Sequence, residues 1–333
     1  MTEDGLLLRR AEPADRGAVI RLLAASLGRE DDPRYETLFA WKHEENAFGT
    51  SPAWVACDGD RIAGFRALMR WEFTRGEDTV QAVRAVDTAT HPDYQGRGIF
   101  TRLTLHGIDE LRTTGLPTPR GPQPVGFVFN TPNAQSRPGY LKMGWEVVGR
   151  PPTSFRPRGL RAAIRMVRSR TPADRWSVPS TVGAPAAEVL ADTATIDALV
   201  ASWPRVATLR TNHTAASLQW RFSTPLLAYR AVTGRGGPAD GVAILRVRAR
   251  GNAREAALCE VLAPEDAPSA RRDLVRAVRR SVDADYLLRL GTDRDGLAPL
   301  PGQGPILTWR GVTETAPPPL DRWSLTLGDI ELF

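Results

Sequence analysis

The sequence predicts an α/β chain built on mixed parallel and antiparallel sheets and divided into two domains. Three observations predict it. The chain has 333 residues, more than one average domain and enough for two of roughly 150 residues each. Short apolar runs punctuated by turn residues alternate with helix-patterned segments through its amino-terminal half. And one apolar run, Ala82-Val83-Arg84-Ala85-Val86, leads through His91-Pro92-Asp93-Tyr94-Gln95-Gly96-Arg97-Gly98-Ile99-Phe100 into a helix-like segment that begins at Thr101.

The elements follow in order. Leu6-Leu7-Leu8-Arg9 reads as a first strand, and Pro13-Ala14-Asp15 opens a helix to about Leu27. A second helix spans about Tyr35 to Asn46, with Phe39 and Trp41 as apolar members. Ala53 to Cys57, the turn Asp58-Gly59-Asp60, and Arg61 to Ala67 read as strand, tight turn and strand. Thr79 to Ala89 is the strand that enters the glycine loop, and Val125-Gly126-Phe127-Val128-Phe129 is the next. Pro138-Gly139-Tyr140-Leu141-Lys142-Met143-Gly144 follows, and Trp145-Glu146-Val147-Val148 closes the series as a strand.

A strand that ends in a glycine-bearing loop and turns into a helix can cradle a phosphate. The helix N-terminus leaves amides unpaired, and glycine lets an anion approach the backbone. The spacing narrows the choice. A dinucleotide fold needs G-x-G-x-x-G, and counting from Gly96 and Gly98 puts Thr101 at the third glycine. A P-loop needs Gly-Lys-Ser/Thr, and no lysine lies nearby. Gln-x-x-Gly-x-Gly/Ala does fit, carried by Gln95, Gly98 and, with a bulkier final residue, Phe100. Downstream, Tyr140-Leu141-Lys142-Met143-Gly144-Trp145 has the form Tyr-x-x-x-Gly-aromatic.

The two motifs, in this order and at this distance, resemble the GNAT acyltransferase superfamily, whose members bind acetyl-CoA. The resemblance covers about Leu6 to Gly149. It implies that Gln95, Gly96, Arg97, Gly98, Ile99, Phe100 and Thr101 hold the diphosphate. It implies that the fourth strand splays from the fifth, so that Thr88, Ala89 and Thr90 offer amides to the pantetheine and thioester, with Asn130 and Asn133 on the opposite lip. A turn-building role for the two asparagines is the alternative. It implies that Tyr140 protonates the departing sulfur. Asp87 is the first candidate for the base that takes the amine's proton, although strand alternation puts it on the face opposite Arg84, Val86 and Thr88 unless a bulge intervenes. Glu44, Glu45 and His91 are further candidates.

The second half reads as a fainter copy of the first. Leu38-Phe39-Ala40-Trp41-Lys42 has a counterpart in Leu218-Gln219-Trp220-Arg221-Phe222, and each is followed by a strand led by an aromatic residue, Trp54 and then Tyr229. Projected onto this copy, Gln95 falls on Asp273, where a helix pattern persists without glycines. Residues 1–150 are thus expected to be a catalytic GNAT domain and 186–333 a degenerate one. Residues 151–185, with Arg156, Arg158, Arg161, Arg165, Arg168 and Arg170, are expected to be an Arg-rich helical linker. Trp323-Ser324-Leu325-Thr326-Leu327 is expected to add a strand, and the tail to Phe333 could bring acidic groups to the cleft.

Composition sets the remaining bounds. No run of about 18 apolar residues exists, so no membrane span is expected. Cys57 and Cys259 are far apart, which reads as two free thiols and a cytoplasmic protein. His43, His91, His106 and His213 do not cluster and the cysteines lack metal spacing, so no metal is expected. No G-x-S-x-G elbow is present. The net charge of +6 comes from arginine, with Lys42 and Lys142 the only lysines, and gives no reason to expect a nucleic-acid partner. The expectation is acetyl-CoA-dependent N-acetylation of a small-molecule primary amine in a ternary complex. The alternatives are aminoacyl transfer from charged tRNA on the same scaffold, or a non-catalytic CoA-binding module.

Overall fold

The computed structural model describes residues 5–26, 32–169, 171–267, 269–291, 297–300 and 302–330. It comprises two compact units. One is made of Met1–Phe73, Asp78–Gly149 and Ile306–Pro319, the other of Thr74–Glu77, Arg150–Pro305 and Leu320–Phe333.

The first unit runs β1 (Leu7–Arg10), α1 (Arg16–Ser26), α2 (Arg34–Phe39), β2 (Ala53–Asp58), β3 (Arg61–Arg75), β4 (Asp78–Thr90), α3 (Ile99–Thr114), β5 (Val125–Asn130), α4 (Arg137–Lys142) and β6 (Glu146–Gly149). Its sheet has the order β1-β2-β3-β4-β5, then Leu307–Gly311, then β6. β1, β2 and β3 are antiparallel neighbours, whereas β4 and β5 are parallel. The parallel register ends at Arg84↔Phe129, while β4 continues to Thr90. Beyond Arg84 the two strands part, and that opening is the slot on which the site is built.

Helices cover both faces of this sheet. On one, Trp54, Leu68, Val83, Ile99, Leu103, Leu111 and Val128 close a core with Tyr140 and Trp145. On the other, Val19, Leu22 and Leu23 of α1 pack on Val55, Phe65 and Ala89. Two glycines let α3 sit close. A Cβ on Gly107 would stand 2.8 Å from the Trp54 ring, and one on Gly64 would stand 2.4 Å from Ile99 Cγ2.

The second unit contains β7 (Thr153–Pro157), α5 (Leu160–Arg168), β8 (Ala184–Pro185), α6 (Ala186–Val189), α7 (Thr193–Ala201), β9 (Arg210–Thr211), α8 (Ala215–Phe222), β10 (Arg230–Gly234), β11 (Gly237–Arg250), β12 (Ala253–Leu262), α9 (Ala270–Ser281), β13 (Tyr286–Leu290) and β14 (Ala298–Leu300). Its sheet has the order β14-β7-β13-β12-β11-β10-β8. Read from β8, this is the strand order of the first sheet, again with one parallel pair, β12 and β13. That pairing also stops early, at Ala257↔Leu288, while β12 runs on to Leu262. The fold is a tandem of GNAT-like α/β units, as the internal repeat predicts. Among the described residues no helix is long and apolar enough to cross a membrane. Cys57 and Cys259 are both buried free thiols.

Three expectations need correcting. The segment after Gly149 is not only a linker: Thr153–Pro157 is a strand between β13 and β14, and α5 follows it in the same unit. The strand contributed by the carboxy-terminal region, β15 (Leu307–Gly311), is not Trp323–Leu327. Trp323 makes one isolated bridge to Leu209, and Leu327–Ile330 forms a short helix, α10. The physical reason is burial. β15 inserts between β5 and β6 with Leu307, Thr308 and Trp309 all buried, whereas Pro317-Pro318-Pro319 cannot donate to a ladder and breaks the chain before Trp323. And the second helix ends as α at Phe39, after which Ala40–Glu44 widens into a π turn. Glu331 to Phe333 lie outside the described residues.

Trp309 is 2% exposed and stacks toward Phe127 at 6.2 Å. Trp309→Ala should therefore cost about 3–5 kcal/mol, read as a lower guanidinium midpoint. A loss under about 1 kcal/mol would mean that β15 is dispensable to the first sheet.

Candidate active site

The glycine loop occupies the start of α3. Gly96 and Gly98 have φ of +78° and +69°, conformations that glycine adopts without strain, and a Cβ on either would find no atom within 4 Å. Gly98 is the N-cap of α3 and no side chain caps it. The first amides of the helix, from Ile99 to Thr101, have no intrahelical acceptor, and Gly98 has no side chain to cap them. Gln95, Gly96, Arg97 and Gly98 are exposed. An open backbone concavity at the positive end of a 16-residue helix fits a diphosphate. The loop is braced from behind. Tyr94 Oη donates to Asp58 Oδ2 at 2.7 Å, Arg61 reaches Asp93 at 2.9 Å, and the Arg97 guanidinium lies over the Tyr94 ring.

Phe100, the departure from the motif, has a structural partner. Its ring packs edge-on against Tyr140 at 5.4 Å, and a Cβ on Gly139 would meet it at 3.2 Å. The missing side chain at Gly139 makes room for the added one at Phe100.

Tyr140 is buried on α4 and accepts a hydrogen bond at Oη from Arg66 Nη1, 3.0 Å away. Arg66 belongs to neither sequence motif, although a charge inside the apolar run Phe65-Arg66-Ala67-Leu68-Met69 is a signal. It is fully buried, and its guanidinium faces the Phe100 and Tyr140 rings at 5.6 and 5.5 Å. Its Nε and Nη2 have no hydrogen-bond partner among the described residues. A buried cation held by two ring faces and a phenol, with N–H groups to spare, suits a place where negative charge arrives.

The open half of β4 carries Thr88, Ala89 and Thr90. Thr88 Oγ1 bonds back to Phe65 O at 3.1 Å, and Ala89 is buried against α1. Asp87, just before them, has φ +27°, a strained value for a residue with a Cβ. This left-handed kink defeats strand alternation and turns the carboxylate toward the π turn. There Lys42 Nζ lies 2.5 Å from Asp87 Oδ2, and His43 Nε2 lies 2.8 Å from the same oxygen. Burial alone would raise the Asp87 pKa, but the Lys42 ammonium and His43 override it and hold the carboxyl well below the usual range. A carboxylate so engaged is a poor proton acceptor. Asp87 as the base is therefore set aside.

The two asparagines have partners within the fold. Asn130 is buried and its Oδ1 accepts from Thr308 Oγ1 at 2.5 Å, tying β5 to β15. Asn133 Oδ1 accepts from the Ser136 amide at 2.8 Å at the entrance to α4. Glu44 is exposed and paired with Arg16, and His91 belongs to the Arg61–Asp93 group. Among the described residues no three His, Cys, Asp or Glu side chains gather as a metal site.

Residues 8–148 match the model of an acetyltransferase (GNAT) domain. These residues belong to the GNAT superfamily. A mycothiol acetyltransferase of Actinosynnema mirum is 33% identical over 117 residues, covering 34% of this chain and 37% of that protein. The chain thus matches well under half the length of that relative. Two solved structures share the fold over 92% of this chain: GCN5-related N-acetyltransferases from Anabaena variabilis (TM-score 0.61, 15% identity, 73% of that chain covered) and Kribbella flavida (0.56, 17%, 71%). The GNAT domain is the part of this chain that holds the glycine loop, Tyr140 and the Lys42–Asp87–His43 cluster.

Asp87 is largely buried and bonds both Lys42 and His43, so removing its charge takes a counter-ion from the buried Lys42 ammonium. Asp87→Asn keeps the shape and tolerates the left-handed backbone, and should cost about 3–5 kcal/mol at pH 7. The pKa of Asp87 is depressed in the fold. Its contribution is therefore present above about pH 4, the unfolded value, and is lost as pH falls toward the lower folded value. Urea denaturation should show the gap between wild type and variant closing below pH 4; a gap constant with pH would refute the charge pairing.

Proposed function

We propose that the GNAT domain transfers an acetyl group from acetyl-CoA to a small-molecule primary amine, directly, in a ternary complex. The Arg66–Tyr140 pair, set between the glycine cradle and the opening of β4 from β5, carries this reading. When bound, the acyl-CoA supplies a thioester carbonyl open to attack and a thiol leaving group. The amides from Gly96 to Thr101 would hold its diphosphate, and Thr88 to Thr90 would offer unpaired backbone N–H groups to its arm and carbonyl oxygen.

Arg66 fixes the direction of Tyr140's proton. Because Nη1 occupies one lone pair of Oη, the O–H is directed elsewhere and is available to the departing sulfur. The same guanidinium then stabilises the phenolate that remains. Acid assistance of this kind is worth roughly 10²–10⁴ in rate. The second unit repeats the strand order without the cradle: the first turn of α9 carries Asp273 and no glycine. It is read as a GNAT-like unit that has lost the cofactor loop.

Incubation of the protein with acetyl-CoA and a panel of primary amines should release free thiol saturably with one amine class. No release with any amine would sink the reading. Tyr140→Phe should lower kcat about 10²–10⁴-fold while calorimetry shows CoA binding unchanged. Equal losses of turnover and CoA affinity would mean that Tyr140 only packs.

A further inference from the structure

We infer that His43 is the general base of the transfer, taking the amine's proton at Nδ1 with Asp87 as its orienting partner; the inference rests on the acyltransferase reading above. Two local departures from regular structure, a π turn and a left-handed residue, converge here. The Glu45 amide reaches back to Ala40 O at 2.9 Å, which makes Ala40–Glu44 a π turn, a form that recurs at functional sites. The turn buries the consecutive residues Lys42 and His43 together, at 2% and 4% exposure. The left-handed backbone at Asp87 brings one carboxylate oxygen to both.

The hydrogen bonds settle the tautomer. Asp87 is ionised and can only accept, so His43 Nε2 carries the proton and Nδ1 keeps its lone pair. Nδ1 is buried and has no hydrogen-bond partner among the described residues. An unmet buried acceptor is unfavourable, and the arrival of a donor such as an amine N–H relieves it. The charged groups acting on the ring are Asp87 from β4 and Lys42 and Glu44 from its own turn, and Glu44 is paired with Arg16 of α1. Phe39 packs on the imidazole at 4.8 Å, with the Phe65 ring of β3 6.2 Å beyond it. Burial pushes the imidazole pKa below its ordinary value against the pull of Asp87, which keeps the ring neutral and able to accept. Lys42 adds to that lowering and also acts on the carboxylate. Its ammonium keeps Asp87 ionised, so that the proton His43 gains does not pass on to Asp87.

The step balances. The amine nitrogen attacks the thioester carbonyl carbon, the N–C bond forms and the C–S bond breaks. The nitrogen's proton goes to His43 Nδ1 and the Tyr140 proton goes to sulfur. The imidazolium then returns its proton to solvent and Tyr140 regains one. Amide and thiol are the products, and both residues end as they began.

The test uses the full chain with acetyl-CoA and the amine that gives most thiol release. His43→Gln keeps a donor for Asp87 but has no titratable nitrogen. Its kcat should fall about 10²–10⁴-fold, with the KM for acetyl-CoA within about twofold and the acidic limb of the pH–rate profile abolished. Retention of the wild-type limb, with kcat within about threefold of wild type, would overturn the inference and leave the acyltransferase reading standing. A wild type that releases no thiol with any amine would remove both. Nitrogen-15 NMR of wild type without ligand decides the matter should the variant fail to fold. His43 should be neutral at pH 7 with its proton on Nε2; an imidazolium, or a proton on Nδ1, overturns the proposal.

Discussion

The parting of β4 from β5 after Arg84↔Phe129 is the constraint on which the rest of the first unit depends. Two parallel strands that stayed paired to their ends would satisfy their own amides and leave nothing for a ligand. Because they separate, the backbone from Ala85 to Thr90 is released on one side, α3 can begin with its amides facing outward, and α4 can bring Tyr140 to the opening. The pieces that close around the gap are themselves well satisfied. β15 completes the far side of β5, and Tyr94, Asp58 and Arg61 hold the loop in front.

The unit departs from ordinary packing where charge is buried. Arg66, Lys42, His43 and Asp87 all lie in or against its interior. Natural cores avoid such groups unless they are paired or used. Here the pairing is incomplete in a patterned way: the unmet donors of Arg66 lie beside the proposed acid, and the unmet acceptor of His43 belongs to the ring that Asp87 holds. The strained φ at Asp87 and the π turn are local costs, and the regular sheet and helix around them hold them in place.

Much of this architecture was legible in the residues. Apolar runs bounded by turn residues mark β2, β3, β4 and β5, and Gly96 and Gly98 announce the loop because few other residues tolerate those backbone angles. The tandem arrangement was legible from the faint repeat of Leu38–Lys42 at Leu218–Phe222. What was hidden is long-range. Nothing local in Leu307–Gly311 distinguishes it from Trp323–Leu327 as a strand, since the choice depends on a space between β5 and β6 that only the fold creates. Likewise the orientation of Asp87 follows from its left-handed backbone, and alternation argues against it. Two local signals did exist. Arg66 interrupts an apolar strand, and Lys42 keeps an ammonium in a chain whose basic residues are otherwise nearly all arginine. A compact ammonium can share one carboxylate oxygen with a histidine where a guanidinium fork would crowd it.

The exchanged strands bear on how the polypeptide is born. When Gly149 leaves the ribosome, β5 and β6 still face an empty lane, because the segment that fills it is encoded near the other end of the message. At about 5–20 residues per second, the intervening stretch takes roughly 10–30 s to synthesise. For that interval two unpaired edges are available to neighbouring nascent chains. Each sheet takes a strand encoded on the opposite side of the gene's midpoint, β15 for the first and β7 for the second, so cutting there would give two fragments that each lack an interior strand.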